Sequence, residues 1–402
     1  MKIAIVVHGR FHGFDLARAL IGRGHDVTVF TNYPKWATRK FHLPDRNVRS
    51  FVFHGVLSRG LNRFAEWTGT SAFDPFLHRL FSRWAARATA AESWDLIHCF
   101  SGVAEEVFRF TPSSARQRWM VRASAHIRTQ DGLLADEGKR AGVPIERPSE
   151  WMIQREQREY QLADRIVTLS SFARDSFLAE GIPPERALLI PSGINLQTFR
   201  PSAEVVSNRI KRILSGEPLR VLFVGTASLQ KGIFDLATVI EKADARHFRF
   251  QLVSNIAKDA ATFVERVKDR ITIHGRVPQS ELPKWYAEAD LFLFPTIQDG
   301  FPAVLAQANA NGLPVLTTPN CSSKEVIKDG LTGWIIPIRQ PESLLARLAW
   351  CHREREELAS MVKRICEDFT LRTWDDMAAD FEVHLTAALD GRLGPGAGRH
   401  RK

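Results

Sequence analysis

Short apolar runs alternate along the chain with longer stretches in which apolar residues recur every three or four positions. The first kind reads as buried strands and the second as amphipathic helices, so their alternation predicts an α/β chain with parallel sheets. In the first half the strand candidates are KIAIVV, DVTVF, LIHCF, WMVRAS, RIVTLS and ALLIP. Phe14 to Arg23 reads as a helix with Phe14, Ala17, Leu20 and Ile21 on one face, ended by Gly24. Residues 55–95, rich in Phe, Trp, Ala and Arg, read as one or two amphipathic helices. The pattern restarts at LRVLFVG and continues through FRFQLV, ITIHG, LFLFP, PVLTT and GWIIP. Helical stretches begin near Lys231, Lys258, Ser280, Pro302, Ser323 and Pro341.

Two consecutive α/β halves predict two Rossmann-like lobes facing across a cleft, with ligands at the carboxyl ends of the strands. The expected boundaries are a first lobe over 1–200, a polar connection over 201–218 and a second lobe over 219–370. Pro201, Gly216 and Pro218 near its ends mark the connection. Residues 391–402 form a basic tail.

A length of 402 residues agrees with two domains. A hydrophobic fraction of 44% and a charged fraction of 25% exclude collagen, coiled coil, disulfide scaffold and global disorder. No apolar run approaches the roughly 18 residues of a spanning helix, which excludes an integral helical membrane protein. The opening MKIAIVV stops at His8-Gly9-Arg10 and reads as a strand, not as the core of a signal peptide. Cys99, Cys321, Cys351 and Cys366 make no CxxC, so neither a zinc ribbon nor a redox pair is expected, and the thiols fit a reducing cytoplasm. Of the net charge of +10, residues 1–200 carry +8, from 28 Lys and Arg against 20 Asp and Glu. Such asymmetry suits an anionic partner such as nucleic acid, a phospholipid surface or a phosphorylated acceptor, and equally suits general arginine-rich usage. No nucleic-acid recognition motif supports the first.

The most informative segment is PTIQDGFPAVLAQANANGLPVLTT, residues 295–318. A strand ends at Pro295, a polar loop carries Asp299 and Gly300, and Pro302 opens a helix that Gly312 ends. The helix start presents free N–H groups to an anion, Asp299 can accept from hydroxyls, and Gln307 lies one turn further in. An ordinary βαβ unit with a loop acid would look the same. In VLFVGTASLQKGIFDL, residues 221–236, a strand ends at Gly225 and Lys231-Gly232 opens the next helix. In HGRFHGF, Gly9 and Gly13 flank a tight turn, which is not a GxGxxG fingerprint. His8 and His12 there are candidates to line the cleft, with no metal set around them.

Residues 295–318 resemble the signature of retaining family 4 glycosyltransferases with the GT-B fold, of the surface-polysaccharide or glycolipid type. That signature runs Glu-Gly-Phe-Gly, a second Glu after seven intervening residues, then Ala-x-x-x-Gly-x-Pro-Val. Gly300, Phe301, Ala308, Gly312, Pro314 and Val315 match it, with Asp299 and Gln307 at the two acidic positions. The resemblance implies that the first acid contacts the donor sugar and the second the ribose hydroxyls. Gln307 can still bind a diol but cannot serve as a base. Residues 221–236 are similar to the family's Val-Gly-Arg-x-x-x-x-Lys-Gly loop, so Lys231 is expected at the donor diphosphate; Thr226 stands where the family has Arg. Arg276 in IHGRVPQSEL is a candidate for the missing cation, or a surface salt bridge, and Val277 is expected beside the nucleotide base. His126, at the end of VRASAHIRTQ, matches a His that meets the sugar from the first lobe; Arg122 and Arg128 beside it either hold an acceptor phosphate or serve solubility. The segments 158–177 and 190–199 resemble further family stretches.

The resemblance therefore implies a cytoplasmic, metal-independent, retaining hexosyltransferase with no cofactor. Its donor would be a UDP- or GDP-sugar and its acceptor a glycan or lipid-linked hydroxyl. Asp299 and His126 are its expected catalytic residues. Gly9, Gly13, Gly225, Lys231, Arg276, Val277, Gly300, Phe301, Pro302 and Gln307 are expected at the donor. The helix TWDDMAADFEVHLTAAL, within 371–390, is expected to cross back onto the first lobe. A sugar-nucleotide epimerase of the same fold and a non-catalytic partner subunit are the rivals. Phe64, Trp67, Phe73, Phe76, Phe81 and Trp84 among arginines suggest peripheral attachment to the inner face of an anionic membrane, or a buried aromatic core.

Overall fold

A computed structural model describes residues 1–68, 73–111, 113–368 and 370–391. The strand runs of the first half form β1 (Lys2–Val7), β2 (Asp26–Thr31), β3 (Val48–Ser50), β4 (Trp94–Phe100), β5 (Ala115–Arg122), β6 (Arg165–Thr168) and β7 (Ala187–Leu189). They pair in the order β3-β2-β1-β4-β5-β6-β7, all parallel. The second half forms β8 (Leu219–Val224), β9 (Phe248–Val253), β10 (Ile271–His274), β11 (Leu291–Phe294), β12 (Val315–Thr317) and β13 (Gly333–Ile335). Their order is β10-β9-β8-β11-β12-β13, again parallel. Strand order reverses between β1 and β4 and between β8 and β11. At such points the outgoing loops diverge and leave a crevice.

Parallel strands covered by helices on both faces are apolar on both faces, which is why these runs do not alternate. Ile3 to Val7 and Leu291 to Phe294 are all at most 1% exposed. Each sheet has its own apolar core. The fold is GT-B.

The segment expected as a connection is instead built into the second lobe. Residues Ala203–Leu214 form a helix. Its Ile213 is fully buried, and so is Arg209, whose guanidinium donates to the carbonyls of Ala289, Tyr286 and Asn311 at 2.7–2.9 Å. Pro201 precedes the capping Ser202, and Gly216 follows the helix at φ +84°, so these residues punctuate a helix and do not mark a linker. The chain crosses between lobes near Gly193 and again near Thr373, where the two passes touch. Ile194 N–H donates to Arg372 O at 3.0 Å, and a Cβ on Gly193 would fall 2.3 Å from Thr373 O.

The helix Trp374–Leu389 then lies on the first lobe. A Thr373/Asp376 capping box starts it, and Phe381 packs edge-on to His98 and Trp119. Two helices, Val52–Thr68 and Asp74–Ala90, cover the region of aromatics. Phe81 is buried and Phe76 is 54% exposed, while the side chains of Phe64 and Trp67 lie outside the described residues. Of the tail 391–402, only Gly391 is among the described residues. Also among them, no helix is long and apolar enough to cross a membrane, and all four cysteines are free.

Candidate active site

The loop after β8 ends in a turn at Leu229–Lys231, capped by Ser228, whose hydroxyl accepts from Lys231 N–H at 3.3 Å. Gly232 follows with φ +77°, and a Cβ there would fall 1.9 Å from Pro295 O, so only glycine fits. This close approach holds the loop after β8 against the loop after β11. Ile297 N–H and Thr296 Oγ1 both donate to Gln230 O, at 2.9 and 3.1 Å. The consequence is that Lys231, 68 positions away in sequence, pairs with Asp299 through Nζ and Oδ2. Both side chains are about one-fifth exposed, at 21% and 18%. Asp299 is fixed from behind, because its N–H donates to Asn320 O at 2.9 Å.

The first lobe closes on this pair. A Cβ on Gly300 would lie 2.3 Å from Ala123 O and 2.6 Å from Ser124 N, so the loops after β5 and β11 touch backbone to backbone. Ser124 Oγ donates to Gln298 Oε1 at 2.8 Å across the same contact. Phe301 packs against the apolar cores of both lobes, and Pro302 is the N-cap of the helix Ala303–Ala310. To one side Ser171 N–H donates to Glu325 Oε1 at 2.7 Å. To the other, Arg140 pairs with Asp235 at 2.7 Å and Arg339 with the buried Glu137 at 3.0 Å. The carboxyl edges of the two sheets thus face each other, with a cation and a carboxylate at the mouth.

Two descriptions of protein families fit this chain: "Glycosyl transferases group 1" over residues 218–354 and "Glycosyl transferase 4-like domain" over residues 14–193. Together the two matches span most of the chain, which belongs to the glycosyltransferases they describe. It is 28% identical over 173 residues to an uncharacterized 41.2 kDa protein in the cps region of Klebsiella pneumoniae, covering 43% of this chain and 48% of that one. It is 26% identical over 198 residues to the amylovoran biosynthesis glycosyltransferase AmsK of Erwinia amylovora, covering 46% of each. The chain thus spans about half the length of these curated relatives. Anabaena HepE, solved in complex with UDP, superposes with a TM-score of 0.68 at 14% identity, over 96% of this chain and 100% of that one. At that identity the likeness is one of fold.

Not every residue expected at the site of this glycosyltransferase reaches it. His126 is 3% exposed and caps the helix Ile127–Ala141, its Nδ1 accepting from Arg128 N–H at 3.3 Å. Its ring lies against Tyr160 and Phe177, at centroid distances of 4.9 and 5.1 Å. Burial, with the Arg122 and Arg128 guanidinium groups beside it, pushes its pKa down to about 4, so it is a neutral capping group turned into the first lobe. Arg122 is also buried. It pairs with Glu156 at 2.5 Å, which shapes the loop after β5 and leaves it no acceptor phosphate to hold.

Gln307 is 4% exposed, and its Oε1 accepts from the fully buried Tyr286 hydroxyl at 3.1 Å. That oxygen is spent on the second lobe's core. Gln307→Leu is therefore expected to leave the Tyr286 hydroxyl unpaired and to cost about 1–3 kcal/mol in urea unfolding, with nucleotide affinity unchanged. A loss of nucleotide affinity without loss of stability would restore the ribose role.

Arg276 is exposed beyond β10, and Val277 is half-buried against the second lobe's core. Gly9 has φ +110°, but its N–H is taken by Asn32 Oδ1 at 3.0 Å and its carbonyl by Thr31 Oγ1 at 3.0 Å. Gly13 starts its helix where a Cβ would meet Phe100 at 3.0 Å. Gly225, at φ +142°, donates to Val253 O at 3.2 Å. These three glycines shape the loops, and the N–H groups of Gly9 and Gly225 are already taken. The residues missed from sequence are Ser124, Gln298 and the pair Ser171–Glu325. Ser124 and Gln298 are polar loop residues shortly after strand ends, while Ser171 starts the helix Ser171–Ala179 and Glu325 lies in the short helix Ser323–Val326, and nothing in their local sequence marks them.

Proposed function

We propose that this protein transfers a sugar from a nucleoside-diphosphate donor to a hydroxyl of a glycan or lipid-linked acceptor, with retention, in surface-polysaccharide or glycolipid synthesis. The observation that carries this reading is the Lys231–Asp299 pair, held by rigid backbone contacts where the two lobes meet. The name of AmsK and the UDP bound by HepE support the class of pathway and of donor. When the donor enters, Lys231 exchanges its carboxylate partner for the diphosphate, and Asp299 becomes free to accept from sugar hydroxyls. Lys231 then stabilises the charge that grows on the departing diphosphate. The acceptor hydroxyl attacks the face from which the diphosphate leaves, and its proton passes to the leaving phosphate. No side chain is needed as a nucleophile.

The test is Asp299→Asn. It keeps the shape of the loop, removes the charge and releases Lys231. Turnover is expected to fall about 100-fold or more, the scale of losing one transition-state contact. Nucleotide affinity should be unchanged or tighter, because Lys231 no longer has a competing carboxylate. Parallel losses of affinity and turnover would reduce Asp299 to a structural loop residue. The product's anomeric configuration by NMR reads retention. Donor binding without transfer or hydrolysis would favour the non-catalytic subunit.

A further inference from the structure

A cavity of about 750 Å³ opens in the second lobe, and neither Lys231 nor Asp299 is in its wall. It lies among the helices Ala203–Leu214 and Arg355–Asp368 and the carboxyl end of the helix Ala303–Ala310. That last helix has its N-cap, Pro302, at the mouth and places Asn309 and Ala310 in the cavity wall. Its 8 residues set the two places about 12 Å apart. Leu196 and Arg200, just after the first pass between the lobes, also line the cavity. So does Leu371, just before the second pass. The cavity therefore touches both segments that carry the chain between the lobes.

The surroundings are built in advance. Asn311 Nδ2 donates to Phe199 O at 2.9 Å and ties the first of these segments to the second lobe. The helix Arg355–Asp368 comes close at Gly312, where a Cβ would fall 2.5 Å from Cys366 Sγ. Asn309 is 1% exposed, and its Nδ2 donates to Thr332 O at 3.1 Å, which fixes which end of the amide is the oxygen. Its Oδ1 is buried with no hydrogen-bond partner among the described residues. A buried acceptor left unpaired is uncommon and suits a donor from outside the chain.

Val206, Ile210 and Leu371 give the cavity apolar wall. Arg200, Lys211 and Lys363 stand there against one carboxylate, Glu367, an excess of two positive charges. None of the three cations forms an ion pair among the described residues. An apolar concavity of roughly 300–1,000 Å³ with a few convergent polar groups is the usual form of a small-molecule site.

We propose that this cavity binds a small amphiphilic anion, an apolar body carrying an N–H or O–H group and one acidic group, and that the bound anion holds the crossing between the lobes. The body lies against Val206, Ile210 and Leu371. Its N–H or O–H donates to Asn309 Oδ1, and its acidic group meets Lys211 and Arg200. A ligand that contacts both crossing segments favours the arrangement in which they lie together, the one with the lobes in contact. The inference goes beyond sugar transfer and needs neither donor nor acceptor.

The experiment is a fluorescence titration of the full chain with 2-anilinonaphthalene-6-sulfonate, which carries an apolar body, an N–H and an acid. Two analogues each lack one group: 2-(N-methylanilino)naphthalene-6-sulfonate has no N–H, and N-phenyl-2-naphthylamine has no acid. The parent compound is expected to bind saturably. Affinity should fall about threefold or more without the N–H and about tenfold or more without the acid, the scales of a neutral and a charged hydrogen bond. Lys211→Glu, at an exposed position, should also weaken binding about tenfold or more. Val206→Trp fills the cavity and should abolish saturable binding; if it fails to fold, Lys211→Glu remains informative. Lys231→Ala should leave binding intact. Hydrogen exchange reads the crossing directly. The Ile194 N–H, bonded to Arg372 O at 3.0 Å, should exchange more slowly when the compound is saturating. No saturable binding, equal affinity for the three compounds, affinity unchanged in Lys211→Glu, or displacement by UDP or GDP overturns the site. Unchanged exchange at Ile194 overturns its hold on the crossing. Binding at the cavity in a protein that takes neither nucleotide would instead overturn the donor reading and leave the cavity assignment standing.

Discussion

Gly300→Ala is expected to reduce turnover about 100-fold or more while both sheets stay folded. The added Cβ would lie 2.3 Å from Ala123 O and 2.4 Å from its carbonyl carbon. Both are backbone atoms, so no flexible side chain can swing away. Each lobe has its own apolar core; Phe301 packs on both, and Ala141, Val143 and Ile145 of the first lobe pack on the edge of the second. The least costly response is for the lobes to part by about 1 Å. That breaks the Ser124–Gln298 hydrogen bond of 2.8 Å and withdraws Asp299 from the first lobe. A misplacement of that size costs about 100-fold in rate. The nucleotide contacts proposed for Lys231 lie within the second lobe and should survive. Steady-state kinetics beside nucleotide titration reads the split, and near-normal turnover would show that chemistry does not need this contact.

The second large effect is a loss of stability in mild acid. His98 is fully buried against Phe381, with no hydrogen-bond partner for either ring nitrogen among the described residues, and burial pushes its pKa down to about 3. His126, 3% exposed, is pushed down to about 4. The unfolded chain protonates both near pH 6.5, so the unfolded state binds more protons as pH falls below that value. Their stabilisation is therefore full above pH 6.5 and is lost progressively toward pH 4. At pH 5 each costs up to about 2 kcal/mol relative to pH 8, a large part of a total of about 5–15 kcal/mol. The half-buried His8 and His12, lowered to about 3 and 4, add less. Urea unfolding at pH 8, 6 and 5 checks this, with His98→Phe expected to flatten the acid side. A midpoint independent of pH between 8 and 5 would mean that these rings are hydrated in the native state.

The sheets were legible because buried parallel strands are apolar on both faces and stand out as uninterrupted runs. β3 was not, since VRS at the sheet edge is three residues long with an outward arginine. The helix Ala203–Leu214 was read as a connection because its end signals, Pro201 and Gly216, serve helix caps and linkers alike. Its apolar Val206, Ile210 and Ile213 recur at helical spacing and were the better guide. At the site, Lys231 and Asp299 were found through motif spacing, and the fold brings them into contact. His126 and Gln307 have matching spacing, yet they turn inward. What captures them, Tyr160 and Phe177 for one and Tyr286 for the other, lies 21 to 51 positions away in sequence. Spacing specifies where a side chain starts, and packing partners decide where it points.

The central claim is that the Lys231 mouth holds the diphosphate of a sugar nucleotide, and calorimetric titration of UDP and GDP into the wild type and Lys231→Ala tests it most directly. One of the two nucleotides is expected to bind the wild type and to bind the variant about 10- to 100-fold more weakly, the scale of one charge-assisted phosphate contact, with the variant's thermal midpoint unchanged. Equal affinity in the two proteins, or no binding of either nucleotide to the wild type, would contradict the account.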